Sequence, residues 1–252
     1  MFRVSVLKMI KTLKINSISS VIPKNTEDTK YINVLTWHPE SERNGSKYHV
    51  FSPYYLRTDG LETQHNPGNV IFENFWQGSK VWPIVYDMEV WAHALLRGKD
   101  QKHLWFKYRC NNSDGFEHLV VDNVLDLEKY HRWKKCVYDC QKPIRYPNGF
   151  FRKSEVAFCL LEDKNGNQEK LDYIEARKKI YIKEYGRLIR KFFEFDMLLS
   201  YLRDQTKTLV ICEIDVPDNE VITLEKLESW VDDKSIRFGH GLCLAWELLK
   251  DI

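Results

Sequence analysis

Apolar residues recur most regularly between positions 172 and 204. Ile174, Tyr181, Tyr185, Leu188, Phe192, Phe195, Leu199 and Leu202 fall on one stripe at spacings of three, four or seven. That period predicts amphipathic helix, with Gly186 as the point that splits it in two. A final helix is expected from about Gly241 to Lys250, where Leu242, Ala245, Trp246 and Leu249 share a face. Another starts near Val70, carries Phe72 to Trp82 and stops before Pro83, because proline lacks the amide a helix needs. A further helix is expected over 84–98, closed by Gly98. Strands are expected at Tyr31–Trp37, at Tyr48–Leu56 with a break at Pro53, at Val156–Leu161 before a turn at Asn165-Gly166, and at Leu209–Val216 before Pro217. The opening segment reads as an ordinary strand or helix.

Helices and strands alternate without a regular βαβ rhythm, which predicts an α+β fold. The expected architecture is one compact domain, with helices packed around a small mixed sheet. Residues 1–47 form an extension packed on it. Residues 48–252 form the body, with 99–170 a diverged or inserted region of strands and short helices. Of the 252 residues, 43% are hydrophobic and 13% aromatic, enough to fill a core and unlike a disordered chain. The net charge of +2 supplies no strong general attraction to nucleic acid or membrane. Lys134-Lys135, Arg145, Arg152-Lys153 and Lys178-Lys179 are scattered rather than striped. No apolar run approaches the roughly 18 residues of a spanning helix, and no signal-peptide core precedes the body, so a cytoplasmic location is expected. Cys159, Cys212 and Cys243 sit in apolar runs and read as reduced, buried thiols. His131, Cys136 and Cys140 are close in sequence but have no second ligand pair at zinc-like spacing, so no metal is expected.

Four constellations bear on chemistry. On a helix, Glu73, Trp76, Gln77 and Lys80 stand at i, i+3, i+4 and i+7 and share one face. Flanking Phe72 and Phe75 suggest that this polar face lies between apolar sides, where it needs partners; a solvated surface face shows the same spacing. Glu213 and Asp215 alternate to the same side of a strand, about 7 Å apart, either as a site or as a strand end reaching solvent. Gly239-His240-Gly241 leads into a helix, whose free amides suit an anion, although a tight turn reads the same way. Ser52-Pro53-Tyr54 places a hydroxyl and an aromatic ring at a strand break, suited to stacking on a base or to a core edge. P-loop, dinucleotide-glycine, His-Glu-x-x-His and Gly-x-Ser-x-Gly patterns are absent.

In this order the elements resemble the NADAR family of N-glycosidases, which includes the riboflavin-biosynthesis type. Its hallmark helix, roughly Glu-His-aromatic-aromatic-Gln-Ala-x-Lys, stands here as Glu73-Asn74-Phe75-Trp76-Gln77-Gly78-Ser79-Lys80. Ser52-Pro53-Tyr54 before it, Lys191-Phe192 with Leu198, Leu199, Leu202 and Thr206 after it, the Leu209–Asp215 run with Asp218, and the closing Phe238–Leu249 segment are similar to the family's later elements. Asn74 departs from the usual His, and residues 99–170 look like an inserted or diverged region. The resemblance implies hydrolysis of a ribose–nitrogen bond, on ADP-ribosylated guanine or on a phosphoribosylamino pyrimidine. It implies Glu73, Lys80 and Asp215 as catalytic groups. Ser52, Tyr54, Trp76, Gln77, Glu213, Gly239, His240 and Gly241 are implied to bind substrate, with no cofactor. Two other readings stand beside it: a module that binds ADP-ribose or a nucleotide without cleaving it, and an enzyme acting on modified bases within DNA or RNA.

Overall fold

The computed structural model describes residues 9–17, 19–35, 47–60, 62–86, 116–144 and 156–252. In chain order come β1 (Met9–Lys14), β2 (Thr29–Asn33) and a 3₁₀ turn (Lys47–Phe51). Then follow α1 (Phe72–Gly78), β3 (Lys80–Val81), β4 (Ile84–Tyr86), β5 (Phe116–His118), β6 (Val120–Val121) and β7 (Val124–Leu125). Next are α2 (Leu127–Asp139), β8 (Phe158–Glu162), β9 (Gln168–Leu171), α3 (Tyr173–Ala176), a π-helical segment (Arg177–Ile182) and α4 (Lys183–Ile189). The chain continues through α5 (Phe193–Arg203), β10 (Thr208–Glu213), β11 (Val221–Ile222), α6 (Leu224–Val231) and α7 (His240–Lys250). The fold is α+β, and the residues gather into two compact units, 1–56 with 177–252 and the intervening 57–176. Among the described residues no helix is long and apolar enough to cross a membrane.

The discontinuous unit is built on a four-stranded sheet in the order β11-β1-β10-β2. β10 runs parallel to both β1 and β2, and β11 is antiparallel to β1. The stretch expected to be an extension thus supplies two strands that flank β10. Parallel central strands are covered on both faces, and Leu209 to Glu213 are all buried accordingly. Val210 and Cys212 pack with Ile15 and Leu35 on one face. On the other, Ile211 and Glu213 lie under α7, which approaches closely because Gly241 has no side chain. α7 also packs on α4, α5 and α6. The helical stripe holds for Tyr181, Tyr185, Leu188, Phe195 and Leu202, which are buried, while Ile174, Phe192 and Leu199 are half-buried. The helix divides at Arg190–Phe192 rather than at Gly186. Gly186 lies inside α4, where the Glu247 carboxyl carbon would sit 2.6 Å from an added Cβ. Tyr48–Leu56 is not a strand: it forms the 3₁₀ turn and a following turn, held by Tyr185 Oη donating to the Phe51 carbonyl at 2.8 Å.

In the contiguous unit, α1 packs on α2, and β3, β8 and β9 form an antiparallel sheet. Asp126 caps α2 by accepting from the Lys129 amide at 3.0 Å, and Tyr130, Trp133, Val137 and Tyr138 line the buried face of that helix. α2 lies in the region left as short elements by the sequence. The helix expected from Val70 to Trp82 ends at Gly78, and the one expected over 84–98 opens instead as β4. Trp37, 87–98 and the remainder of 99–115 and 145–155 lie outside the described residues, as does Cys110. Tyr130 Oη donates to the Gly78 carbonyl at 2.8 Å, and a Cβ on Gly78 would stand 2.4 Å from Tyr138 Cε1. Gly78→Ala is therefore expected to destabilise by about 1–3 kcal/mol through overpacking, measured as a lowered denaturant midpoint. An unchanged midpoint would mean that Tyr138 moves aside freely.

Candidate functional site

In the contiguous unit, all seven residues of α1 are buried. Lys80 lies on β3, not on the helix, yet its side chain returns to the α1 face. Its Nζ donates to Gln77 Oε1 at 3.2 Å, and Gln77 Nε2 donates to Glu73 Oε1 at 2.8 Å. This fixes the Gln77 amide, since a flip would set its NH₂ against the ammonium and its oxygen against the carboxylate. Glu73 Oε2 accepts no hydrogen bond from a described residue. The Lys80 ammonium lies 4.5 Å over the Trp76 ring, and Trp76 is tilted against Tyr173 at 6.0 Å. Burial pushes the Lys80 amine down to about 8, against the upward pull of Glu73 and of Cys159. A carboxylate, an amide and an amine near its neutral point thus form one line among aromatic rings.

Asn74 takes no part in that line. It is fully buried and faces the chain that follows α2. Its Nδ2 donates to the carbonyls of Cys140 and Lys142, each at 3.1 Å, and its Oδ1 accepts from the Ile144 amide at 2.8 Å.

The other candidates fall in the discontinuous unit. Ser52 is buried, and its Oγ accepts from the Tyr54 amide at 3.3 Å, which stabilises the local turn; Tyr54 is half-buried. Glu213 ends β10. Asp215 lies in the bend beyond it, so the two do not continue one strand face to its end as the alternation predicted. Asp215 Oδ1 pairs with Arg237 at 3.1 Å. Glu213 is 1% exposed, with Oε1 3.6 Å from His240 Nδ1. Burial raises the Glu213 pKa, as does Asp215, while His240 and the amides of Asp215 and Ile214 act in the opposite direction. Gly239 precedes α7 and its φ of −77° is open to any residue, so its requirement is for space: an added Cβ would stand 2.6 Å from Glu213 Oε2.

One polar cluster escaped the sequence reading. His65 Nδ1 lies 3.0 Å from Glu162 Oε1, and Lys134 Nζ donates to Glu162 Oε2 at 2.9 Å. The His65 ring stacks on His131 at 3.6 Å, beside a cleft of about 550 Å³ that Arg132 and Lys135 also line. Burial, then His65 and Lys134, push His131 down to about 4 against Glu162. His65 and Glu162 are far apart in sequence, so no spacing linked them. Lys134, one of the scattered basic residues, is buried in this ion pair. Neither a family model, nor a curated protein, nor a solved structure matches the chain.

Proposed function

We propose that the chain is an N-glycosidase that hydrolyses the bond between a ribose carbon and a nitrogen, on ADP-ribosylated guanine or on a phosphoribosylamino pyrimidine. The observation that carries this reading is the buried Lys80–Gln77–Glu73 line. Departure of the nitrogen leaves an oxocarbenium-like sugar, and a carboxylate held in place stabilises that charge or activates water. Glu73 has one oxygen engaged by Gln77 and the other without a hydrogen bond from the described residues, which suits either task. Lys80, poised near 8, supplies a free amine able to form a transient imine with the opened sugar. The departure at position 74 removes no group from this line, because Asn74 is engaged with residues 140–144.

The test is incubation of the chain with ADP-ribosylated guanine in DNA and, separately, with a phosphoribosylamino pyrimidine, following released base and sugar by mass spectrometry. Release from one of them is the expected result. Binding of ADP-ribose without release from either would replace this reading with that of a non-catalytic binding module. The pH profile sharpens the assignment of Lys80. Its proton is lost as pH rises through about 8, so a rate that depends on the free amine climbs through that range and levels off above it. A rate that falls through the same range would instead assign Lys80 to holding phosphate as an ammonium.

A further inference from the structure

The cleft beside α2 holds an imidazole whose state is set by a buried carboxylate. The Glu162 side chain is 3% exposed; its Oε2 accepts from Lys134 Nζ at 2.9 Å and its Oε1 from the His65 amide at 3.2 Å. Burial draws its pKa up, but Lys134, Thr63 and His65 together hold it below the usual carboxylate range, so it is an anion. An anion only accepts, so the His65 Nδ1 that lies 3.0 Å from Oε1 carries a hydrogen. In the neutral ring Nε2 is then a lone pair. Among the described residues this Nε2 has no hydrogen-bond partner, and it is not one of their buried, unpartnered atoms. The His65 side chain is 28% exposed and lines the cleft, so the lone pair is open to a bound molecule. His131, stacked on it within 12°, is in the opposite state: Gln168 Nε2 donates to its Nε2 at 3.2 Å, and its Nδ1 is buried. Burial, His65 and Lys134 keep His131 neutral down to about 4. On the α2 wall, Lys135 and Asp139 pair with each other at 2.6 Å. Arg132 is 3.8 Å from Glu117 Oε2, beyond hydrogen-bond reach, and its side chain is 55% exposed. Its guanidinium is available to an oxygen anion, and Glu128 balances its charge on the lining.

We propose that this cleft is a second catalytic site, separate from the α1 line, which hydrolyses esters of carboxylic acids with His65 as base, Arg132 as the oxyanion donor and Glu162 as a positioning residue. His65 Nε2 takes a proton from water as the water oxygen bonds to the carbonyl carbon. The carbonyl π pair moves to oxygen, and Arg132 donates to the anion so formed. When the bond to the alcohol oxygen breaks, that oxygen takes the proton back from Nε2, which leaves acid, alcohol and a neutral ring. Glu162 fixes the tautomer and stabilises the imidazolium in between, as a buried carboxylate does behind a catalytic histidine. A neutral His131 keeps a second cation from lying 3.6 Å from it. The volume of about 550 Å³ suits a small molecule, and Pro67 with the two rings offers apolar surface to an acyl or aryl group. The balanced charges of the lining favour an uncharged substrate, as such an ester is.

The test follows hydrolysis of p-nitrophenyl acetate by the full chain, with free imidazole at equal concentration as the reference, and reads the His65 tautomer by ¹⁵N NMR. The expected spectrum has His65 protonated at Nδ1 with a free Nε2, the signature of Glu162 acting as its positioning partner. Hydrolysis is expected to exceed the imidazole rate, and His65→Gln and Arg132→Gln are each expected to lower kcat/KM about a hundredfold. Arg132 is exposed, so its variant keeps the packing of α2. Should His65→Gln fail to fold, carbethoxylation of the folded wild type by diethyl pyrocarbonate takes its place. His65 is then expected to react well before His131, with activity lost in step and restored by hydroxylamine. A His65 ring protonated only at Nε2, hydrolysis no faster than imidazole, an unchanged rate in either variant, or His131 modified first would overturn the site. None of these outcomes bears on ribose–nitrogen cleavage, which the α1 line carries by itself.

Discussion

Glu73→Gln is expected to lower the rate of ribose–nitrogen cleavage about a thousandfold, within the range for loss of a positioned acid–base group. Glutamine has nearly the same shape, and its oxygen can still accept from Gln77 Nε2, so α1 is expected to keep its packing. What disappears is the negative charge available to a cationic sugar. Because that charge matters most in the transition state, the loss should fall on kcat and leave KM little changed. A second effect distinguishes this account from general damage. Glu73 is the first influence opposing burial at Lys80, so its neutralisation moves the Lys80 pKa lower still. Residual activity should therefore reach its plateau at lower pH than in the wild type. A variant that cleaves at the wild-type rate would remove Glu73 from the chemistry. A variant equally slow but with an unmoved pH profile would separate Glu73 from Lys80.

Asn74→Ala is expected to cost about 3 kcal/mol of stability, the largest effect anticipated for a substitution outside the polar line. Three backbone groups depend on this one amide, and the Ile144 amide is among buried atoms. Alanine leaves them without their partner and opens a small void beside α2. Histidine, the residue usual in the resembled family, cannot donate twice and accept once in this geometry, so Asn74→His is expected to destabilise as well. Denaturant titration followed by circular dichroism reads the effect. Two compact units need not melt together, so separate transitions should be fitted where they appear. A midpoint within error of wild type would show that residues 140–144 are held without Asn74. Asn74 thus serves the packing of residues 140–144, while Glu73, Gln77 and Lys80 stay hydrogen-bonded in line.

Periodicity revealed much of the fold. The buried run at 209–213, the strand around 158–162 with its turn at 165–166, and the last two long helical stretches follow from apolar spacing alone. It misplaced elements whose form depends on distant partners. Lys80 continues the helical spacing of Glu73 and Gln77, but its backbone pairs with Cys159 across an antiparallel ladder, and the sheet prevails. Gly186 reads as a breaker locally, yet the Glu247 side chain of α7 requires the space there. β1 and β2 are ordinary-looking stretches whose role is set by β10, about 200 residues further along the chain. The residues of the polar line could be named from spacing, but not that Lys80 reaches α1 from β3. The contact of His240 Nε2 with the Val34 carbonyl was not legible, because Val34 belongs to a distant stretch with no sequence relation to it.

The pairing of Met9 with Thr208 and of Thr29 with Thr208 has a kinetic meaning during synthesis. The unit spanning 57–176 is continuous, so all of its contacts are available once residue 176 has left the ribosome. The two N-terminal strands must wait, with their ladder groups unpaired, until β10 is made and slides between them. Such late, non-local closure is slow, and it exposes strand edges to other nascent chains in the interval. Sealing the sheet waits further still, until β11 is made and takes the free edge of β1.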